Sequence, residues 1–132
     1  MEILDITSFQ KAVKSLEAIL IRYKKENDAD IRDAVIQRFE YTYSLSLKIL
    51  SRFINYRSSE IVPTMTFNEI IRKSNQFGLL RNDLETWDKY RQYRNMTSHT
   101  YDENIAKQVV SIIPDFKDEV IFILNKLNEN LK

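Results

Sequence analysis

Apolar residues recur along this chain at intervals of three and four, the period of a helix with one buried face. Phe9, Ala12, Val13, Leu16, Ile19, Leu20 and Tyr23 form the first such run, with Ser8 placed to cap it. The charged stretch RYKKENDAD (22–30) then breaks the pattern and predicts a turn. A second helix is predicted from about Asp30 to Tyr56, and it is apolar on two faces. Val35, Phe39, Thr42, Ser46, Ile49 and Phe53 make one stripe; Ile36, Tyr43, Leu47, Leu50 and Ile54 make the other. A helix with two such faces is central to its fold or also meets another chain.

The rest of the chain carries clear start and stop signals. RSSEIVPTM (57–65), with Pro63, predicts a loop. TFNE (66–69) matches a capping box, with Thr66 as N-cap and Glu69 three residues on. The short helix it opens should stop at Gly78, a residue suited to the left-handed position after a helix. Asp83 is placed to cap a fourth helix through Leu84, Trp87, Tyr90, Arg91 and Arg94. Asp102 is placed to cap a fifth, with Glu103 favourable in its first turn. Ile105, Val109, Ile112, Phe116, Val120, Ile123, Leu127 and Leu131 keep helical phase from there to the C-terminus. Pro114 falls inside this run and predicts a kink, or a break with Pro114 opening a sixth segment. The pattern as a whole predicts an all-α protein: one domain over residues 1–132, built as an up-and-down bundle of four to five helices.

Composition narrows this picture. One glycine and two prolines are too few for the frequent turns of a sheet protein. The absence of cysteine excludes disulfides, thiolate metal sites and thiol nucleophiles. With one histidine and no acidic cluster in the sequence, neither a metal site nor a cofactor is expected. A net charge of +1 does not mark a strong non-specific nucleic-acid binder, although a local basic groove remains compatible with it. No segment approaches the roughly 20 apolar residues of a membrane span, and the N-terminus lacks the apolar core of a signal peptide. A cytoplasmic protein is expected.

The chemistry concentrates at RNMTSHTY (94–101), a polar junction between the fourth and fifth helices that holds the only histidine. Imidazole exchanges a proton near neutral pH. A guanidinium binds phosphate and stabilises charge developing on its oxygens. Arg94 and His99 in one loop suit metal-independent cleavage of RNA, in which the 2′-hydroxyl attacks its own phosphate. One histidine is few for separate acid and base roles, and a symmetric dimer would supply two. The same residues also fit a structural role, with His99 capping carbonyls and Arg94 complementing a helix dipole, and spacing alone favours that role.

The wider sequence adds a resemblance. Arg94-x4-His99-x-Tyr101 resembles the R-x4-H-x-Y signature of the HEPN ribonuclease superfamily. AVIQRFEYTYSLSLKIL (34–50), NQFGLL (75–80), Trp87 and RNMTSHTYDE (94–103) follow, in order, the pattern of HepT-like proteins, also known as nucleotidyltransferase substrate-binding proteins. The resemblance covers about residues 8 to 130. It implies a helical-bundle homodimer with the two motifs facing a shared cleft, acting as a metal-independent endoribonuclease toxin of a toxin–antitoxin pair. It further implies a cognate minimal nucleotidyltransferase antitoxin (MntA-like) that neutralises the toxin by moving AMP from ATP to a motif tyrosine. By the same resemblance Arg94 and His99 are the catalytic pair, Asn95 fits the polar position after the arginine, and Tyr101 is the AMP acceptor. Met96 stands where some relatives carry a further tyrosine, and Ser44 and Leu47 stand where the family often has an acidic residue and a tryptophan. The alternative in a different class is a non-catalytic substrate-binding subunit of a two-component nucleotidyltransferase.

Two further stretches bear on the site. Glu40 and Tyr43 on the second helix are placed to line the cleft and orient the motif, or to serve as ordinary polar and aromatic core. WDKYRQYR (87–94) interleaves rings with cations, as nucleic-acid surfaces do, which makes Arg91, Tyr90 and Tyr93 RNA-contact candidates and leaves Trp87 to the core.

Overall fold

The structure, a computed structural model, describes residues 4–58 and 64–131. Five helices carry the chain: α1 Thr7–Glu26, α2 Ala29–Arg57, α3 Phe67–Gln76, α4 Leu84–Met96 and α5 Glu103–Asn130. A single 3-10 turn, Thr97–His99, joins α4 to α5, and there is no strand among the described residues. The predicted all-α bundle is the architecture found.

Local chemistry sets most of the helix ends. Asp28, Asp83 and Asp102 cap α2, α4 and α5 by accepting hydrogen bonds from first-turn backbone N–H groups. The Asp83 carboxyl is held below its ordinary pKa by the bond from the Thr86 backbone. Thr66 and Glu69 form the expected capping box at α3. At the other end of α3, Gly78 sits at φ 73°. Its N–H donates to the Asn75 carbonyl, and the Leu79 N–H to the Ser74 carbonyl, a paired closure that needs the left-handed residue.

Three expectations are corrected. Ser8 lies inside the first turn of α1 rather than capping it; the helix begins at Thr7, whose N–H is taken by the Asp5 carboxyl at 2.9 Å. The break in the charged stretch 22–30 shrinks to Asn27 and Asp28, because α1 continues to Glu26 and Asn27 turns the chain from the left-handed region. Pro114 does not open a sixth segment: α5 runs through it unbroken. Pro114 lies on the exposed side of α5, so the Val110 carbonyl deprived of its usual donor is not forced into the core, while Ile113 and Phe116 anchor the helix there from the other side. The predicted loop around Pro63 lies outside the described residues.

α2 is the central helix. It packs on each of the other four, and all of one predicted stripe and all of the other except half-buried Leu47 are buried. The chain's own helices therefore satisfy both faces. α1 opposes α2, with Thr42 reaching the Ala12 carbonyl and Arg38 that of Ser15. α5 runs alongside α2 in the same sense, since Arg32 meets Glu103 near the start and Phe39 meets Phe116 farther along. α4 opposes α5. Phe39, Tyr43, Trp87, Tyr90 and Phe116 join these helices in one aromatic cluster, with Phe39, Trp87 and Tyr90 each meeting Phe116 edge to face.

A polar network fixes α4 against α5. Glu119 is 0 % exposed, and its carboxyl accepts from the backbone N–H of Arg81 and of Asn82, both at 3.0 Å, and from the Trp87 indole at 2.8 Å. Beside it the Tyr90 hydroxyl donates to Asp115 and accepts from the Asn82 amide. Asp115 also meets Arg81 at 3.3 Å. Tyr90 is thus 0 % exposed in the core and presents no ring face to a base, which corrects its place among the RNA-contact candidates. The adjacent basic residues suggest a surface, but Tyr90 falls three positions after Trp87 and shares its buried face.

Two predictions follow from this packing. Glu119→Ala orphans three N–H donors at once, each costing about 1–3 kcal/mol when buried without a partner. A loss of at least about 3 kcal/mol in a urea unfolding curve is expected, and a variant as stable as wild type contradicts the network's role. The second concerns alkaline pH. Burial pushes the Tyr43 phenol up from 10.0 to about 12, against the pull of Arg91 and Arg94. Tyr90 is raised as well, by burial and its bond to Asp115. The folded state therefore keeps protons that the unfolded chain releases near pH 10.0. Stability is full below that pH and declines as pH climbs toward 12. Urea midpoints measured at constant ionic strength should fall across that interval, and a flat profile contradicts the burial of these rings.

Candidate functional site

The junction between α4 and α5 is short and internally bonded. Thr97 is buried and does two things. Its hydroxyl donates to the Arg94 carbonyl at 2.7 Å and accepts from Arg94 Nη1 at 3.1 Å. Ser98 and Thr100 likewise return their hydroxyls to the carbonyls three residues back, at Asn95 and Thr97. The His99 carbonyl accepts from the Asp102 N–H, and Asp102 then caps α5. With its small polar side chains turned onto their own backbone, the junction leaves its larger groups facing out.

Arg94 occupies the last turn of α4, where its charge suits the helix C-terminus. Its Nη1 lies 3.8 Å from Glu40 Oε2 on α2, with the two side chains 35 % and 37 % exposed. Glu40 and Thr97 thus hold the guanidinium from two sides while leaving part of it open. An ion pair this exposed contributes no more than about 1 kcal/mol to stability. Its value is positional, and an incoming phosphate can compete with Glu40 for the guanidinium.

His99 is exposed, and its ring centroid lies 6.2 Å from that of Tyr101, with the planes at 68°. Tyr101 is 87 % exposed, the most open of the large hydrophobic side chains among the described residues, and its hydroxyl is reachable from solvent. Asn95 is exposed on the last turn of α4. Tyr43 is buried, and the positive charges of Arg91 and Arg94 pull against the upward push that burial gives its phenol. Arg91 is exposed, with its guanidinium over the Phe67 ring, and Tyr93 is half-buried against the core.

Arg94, Asn95, His99 and Tyr101 all belong to the α4–α5 junction, where His99 meets Tyr101 and Glu40 pairs with Arg94 from α2, while Tyr43 is buried in the core. Thr97 is the participant that sequence reasoning missed; its signal was a threonine three residues after the arginine, the spacing at which a hydroxyl reaches back to a helix carbonyl. Among the described residues no group of three or more His, Asp or Glu side chains converges as a metal-binding set. No helix among them is long and apolar enough to cross a membrane.

Comparison with known proteins identifies the family. Residues 4–129 match the family model described as nucleotidyltransferase substrate binding protein like. A Haemophilus influenzae protein named as a probable ribonuclease HepT is 32 % identical, over 96 % of this chain and 93 % of that protein. A solved Haemophilus influenzae structure, described as revealing the fold of a substrate binding domain of a nucleotidyltransferase, superposes with a TM-score of 0.86 at 31 % identity, covering 94 % of this chain and 99 % of the other. A Thermus thermophilus structure superposes with a TM-score of 0.75 at 28 % identity, over 90 % of this chain and 98 % of that one. With nearly its whole length matched in sequence and in fold, the chain belongs to the HepT-like family of nucleotidyltransferase substrate-binding proteins.

Proposed function

We propose that this protein is a metal-independent endoribonuclease, the toxin of a HEPN/nucleotidyltransferase toxin–antitoxin pair. The observation that carries this reading is the junction itself: an arginine held by Glu40 and Thr97, and a solvent-facing histidine, on one short connection. The name of the Haemophilus relative supports the same chemistry. In the proposed reaction the ribose 2′-hydroxyl loses its proton and attacks the adjacent phosphorus. The P–O5′ bond breaks, and the leaving oxygen takes a proton. The products are a 2′,3′-cyclic phosphate and a 5′-hydroxyl. Arg94 stabilises the charge on the phosphoryl oxygens and His99 carries the proton. One histidine is few for separate acid and base roles, and a homodimer with the two junctions facing each other, which would supply two, is part of the proposal.

Regulation is assigned to Tyr101. A cognate minimal nucleotidyltransferase would transfer AMP from ATP to its hydroxyl with release of pyrophosphate. The exposure of Tyr101 and its ring contact with His99 support this: the added phosphate and adenine would stand where RNA must enter and would offer Arg94 an anion of its own. A second reading has its own support. The family description and the Haemophilus structure both name substrate binding for a nucleotidyltransferase, which fits a non-catalytic subunit that presents a substrate to its partner.

Purified protein incubated with cellular RNA in EDTA separates these readings. Cleavage by wild type is expected to fall by about 10²-fold or more in His99→Ala and in Arg94→Ala, and by less in Thr97→Val, with all three variants folded by circular dichroism. Wild type that cleaves no cellular RNA moves the conclusion to the binding subunit. For the regulatory step, incubation with the cognate nucleotidyltransferase and ATP should add adenylyl mass to wild type and none to Tyr101→Phe. Labelling that persists in Tyr101→Phe places the acceptor elsewhere.

A further inference from the structure

Arg91 precedes Arg94 by one turn of α4, so the two side chains leave neighbouring positions on one face, with Cβ atoms about 5–6 Å apart. Both lie close enough to Tyr43 on α2 for their positive charge to bear on its phenol. Their supports differ. Arg94 is held by a carboxylate and a hydroxyl. The Arg91 guanidinium carbon instead lies 5.0 Å over the centroid of the Phe67 ring, at the first residue of α3.

This difference matters chemically. A guanidinium resting on a ring is oriented and partly stabilised through its flat face, and it uses none of its N–H donors to do so. Among the described residues no carboxylate lies within ion-pair distance of Arg91. Asp88, one turn earlier, also acts on Tyr43, but it does not pair with Arg91. Arg91 is therefore an exposed, oriented cation with no hydrogen-bond acceptor among the described residues, one step along the helix from the arginine of the motif. Two side chains of this length, leaving the helix one turn apart, can reach neighbouring phosphates of one strand.

We propose that Arg91, laid on Phe67, is a second phosphate-binding position that grips the phosphodiester next to the one held by Arg94 in single-stranded RNA. The proposal rests on the ribonuclease reading of the junction and extends it from the scissile bond to a neighbouring subsite. Phe67 acts through Arg91, as a positioning residue. Arg91 gains from consecutive phosphodiesters and adds nothing for a ligand that has only one.

The test is binding, so that it does not depend on cleavage. A fluorescein-labelled uridine oligonucleotide, made uncleavable by 2′-O-methylation, is titrated with full-length wild type, Arg91→Ala and Phe67→Leu across a salt series. Arg91→Ala should weaken binding about tenfold and lower the slope of log affinity against log salt by about 0.7, the share of one phosphate on a single strand. Phe67→Leu should weaken binding while keeping the wild-type slope. A dinucleotide, with one phosphodiester, should bind wild type and Arg91→Ala alike. If Arg91→Ala melts early, Arg91→Gln carries the slope measurement. An unchanged affinity and slope in the Arg91 variant overturns the subsite and leaves the reading of the junction standing. Weaker binding at an unchanged slope overturns the phosphate assignment. Equal losses for the dinucleotide and the longer strand overturn the neighbouring position. Wild type that binds no RNA overturns the subsite together with the ribonuclease reading.

Discussion

The Glu119 carboxyl is buried with no cation paired to it among the described residues, held by three N–H donors, and α4 takes its position from it. α4 is a short helix whose own pattern specifies little: Trp87 and Tyr90 are its only buried residues. Two buried rings, with Leu84, Tyr93 and Met96 only partly buried beside them, do little to fix the roll of a helix. The bonds from Trp87 to Glu119 and from Tyr90 to Asp115 remove that freedom, because each has one geometry and a cost when broken. The bonds from Arg81 and Asn82 fix the connection that leads into α4. With the roll of α4 set, Arg94 meets Glu40 on α2 and Arg91 lies over Phe67, each keeping part of its guanidinium open to solvent. Apolar burial builds the bundle, and hydrogen bonding decides how its site-bearing helix is turned.

The site itself is lightly held. Arg94 has a partly exposed carboxylate at 3.8 Å and one hydroxyl, a set strong enough to orient it and weak enough to yield to an anion. Thr97 binds both ends of the arginine, its carbonyl and its guanidinium, and so couples the direction of the side chain to the geometry of the helix end. The 3-10 turn then delivers His99 and Tyr101 to the surface within a few residues. This division of labour, a rigid base and a loosely tethered functional edge, is the one a ligand-exchanging surface requires.

What the sequence disclosed follows from the range of the interactions involved. Thr66 with Glu69, Asp83 and Asp102 cap helices through bonds spanning two or three residues, so their signal is local and complete. The two stripes of α2 were legible because a central helix writes its burial into its own period. Glu119 was not, although it lies three residues after Phe116 and therefore on the core face of α5; its donors come from the α3–α4 connection and Trp87, and no local pattern announces them. Tyr90 misled because its neighbours are basic while its phase is that of Trp87. Pro114 misled in the opposite direction, since a residue that ends an isolated helix is tolerated where flanking side chains are anchored. At the junction, Arg94 and His99 stood out by residue type, but Thr97 acquires its meaning only when its burial is seen.

The Glu119–Trp87 bond has an evolutionary reading. A carboxyl buried with an indole N–H and two amides cannot be replaced on one side alone: loss of the acid leaves the donors unpaired, and loss of the indole removes one partner and opens a void. Such a pair should drift together or not at all, because the intermediate chains fall through a stability valley. The motif at 94–101 inherits that restraint. A change that loosens this contact, two turns back along α4, also changes the setting of the helix that carries the junction, although the two share no residue.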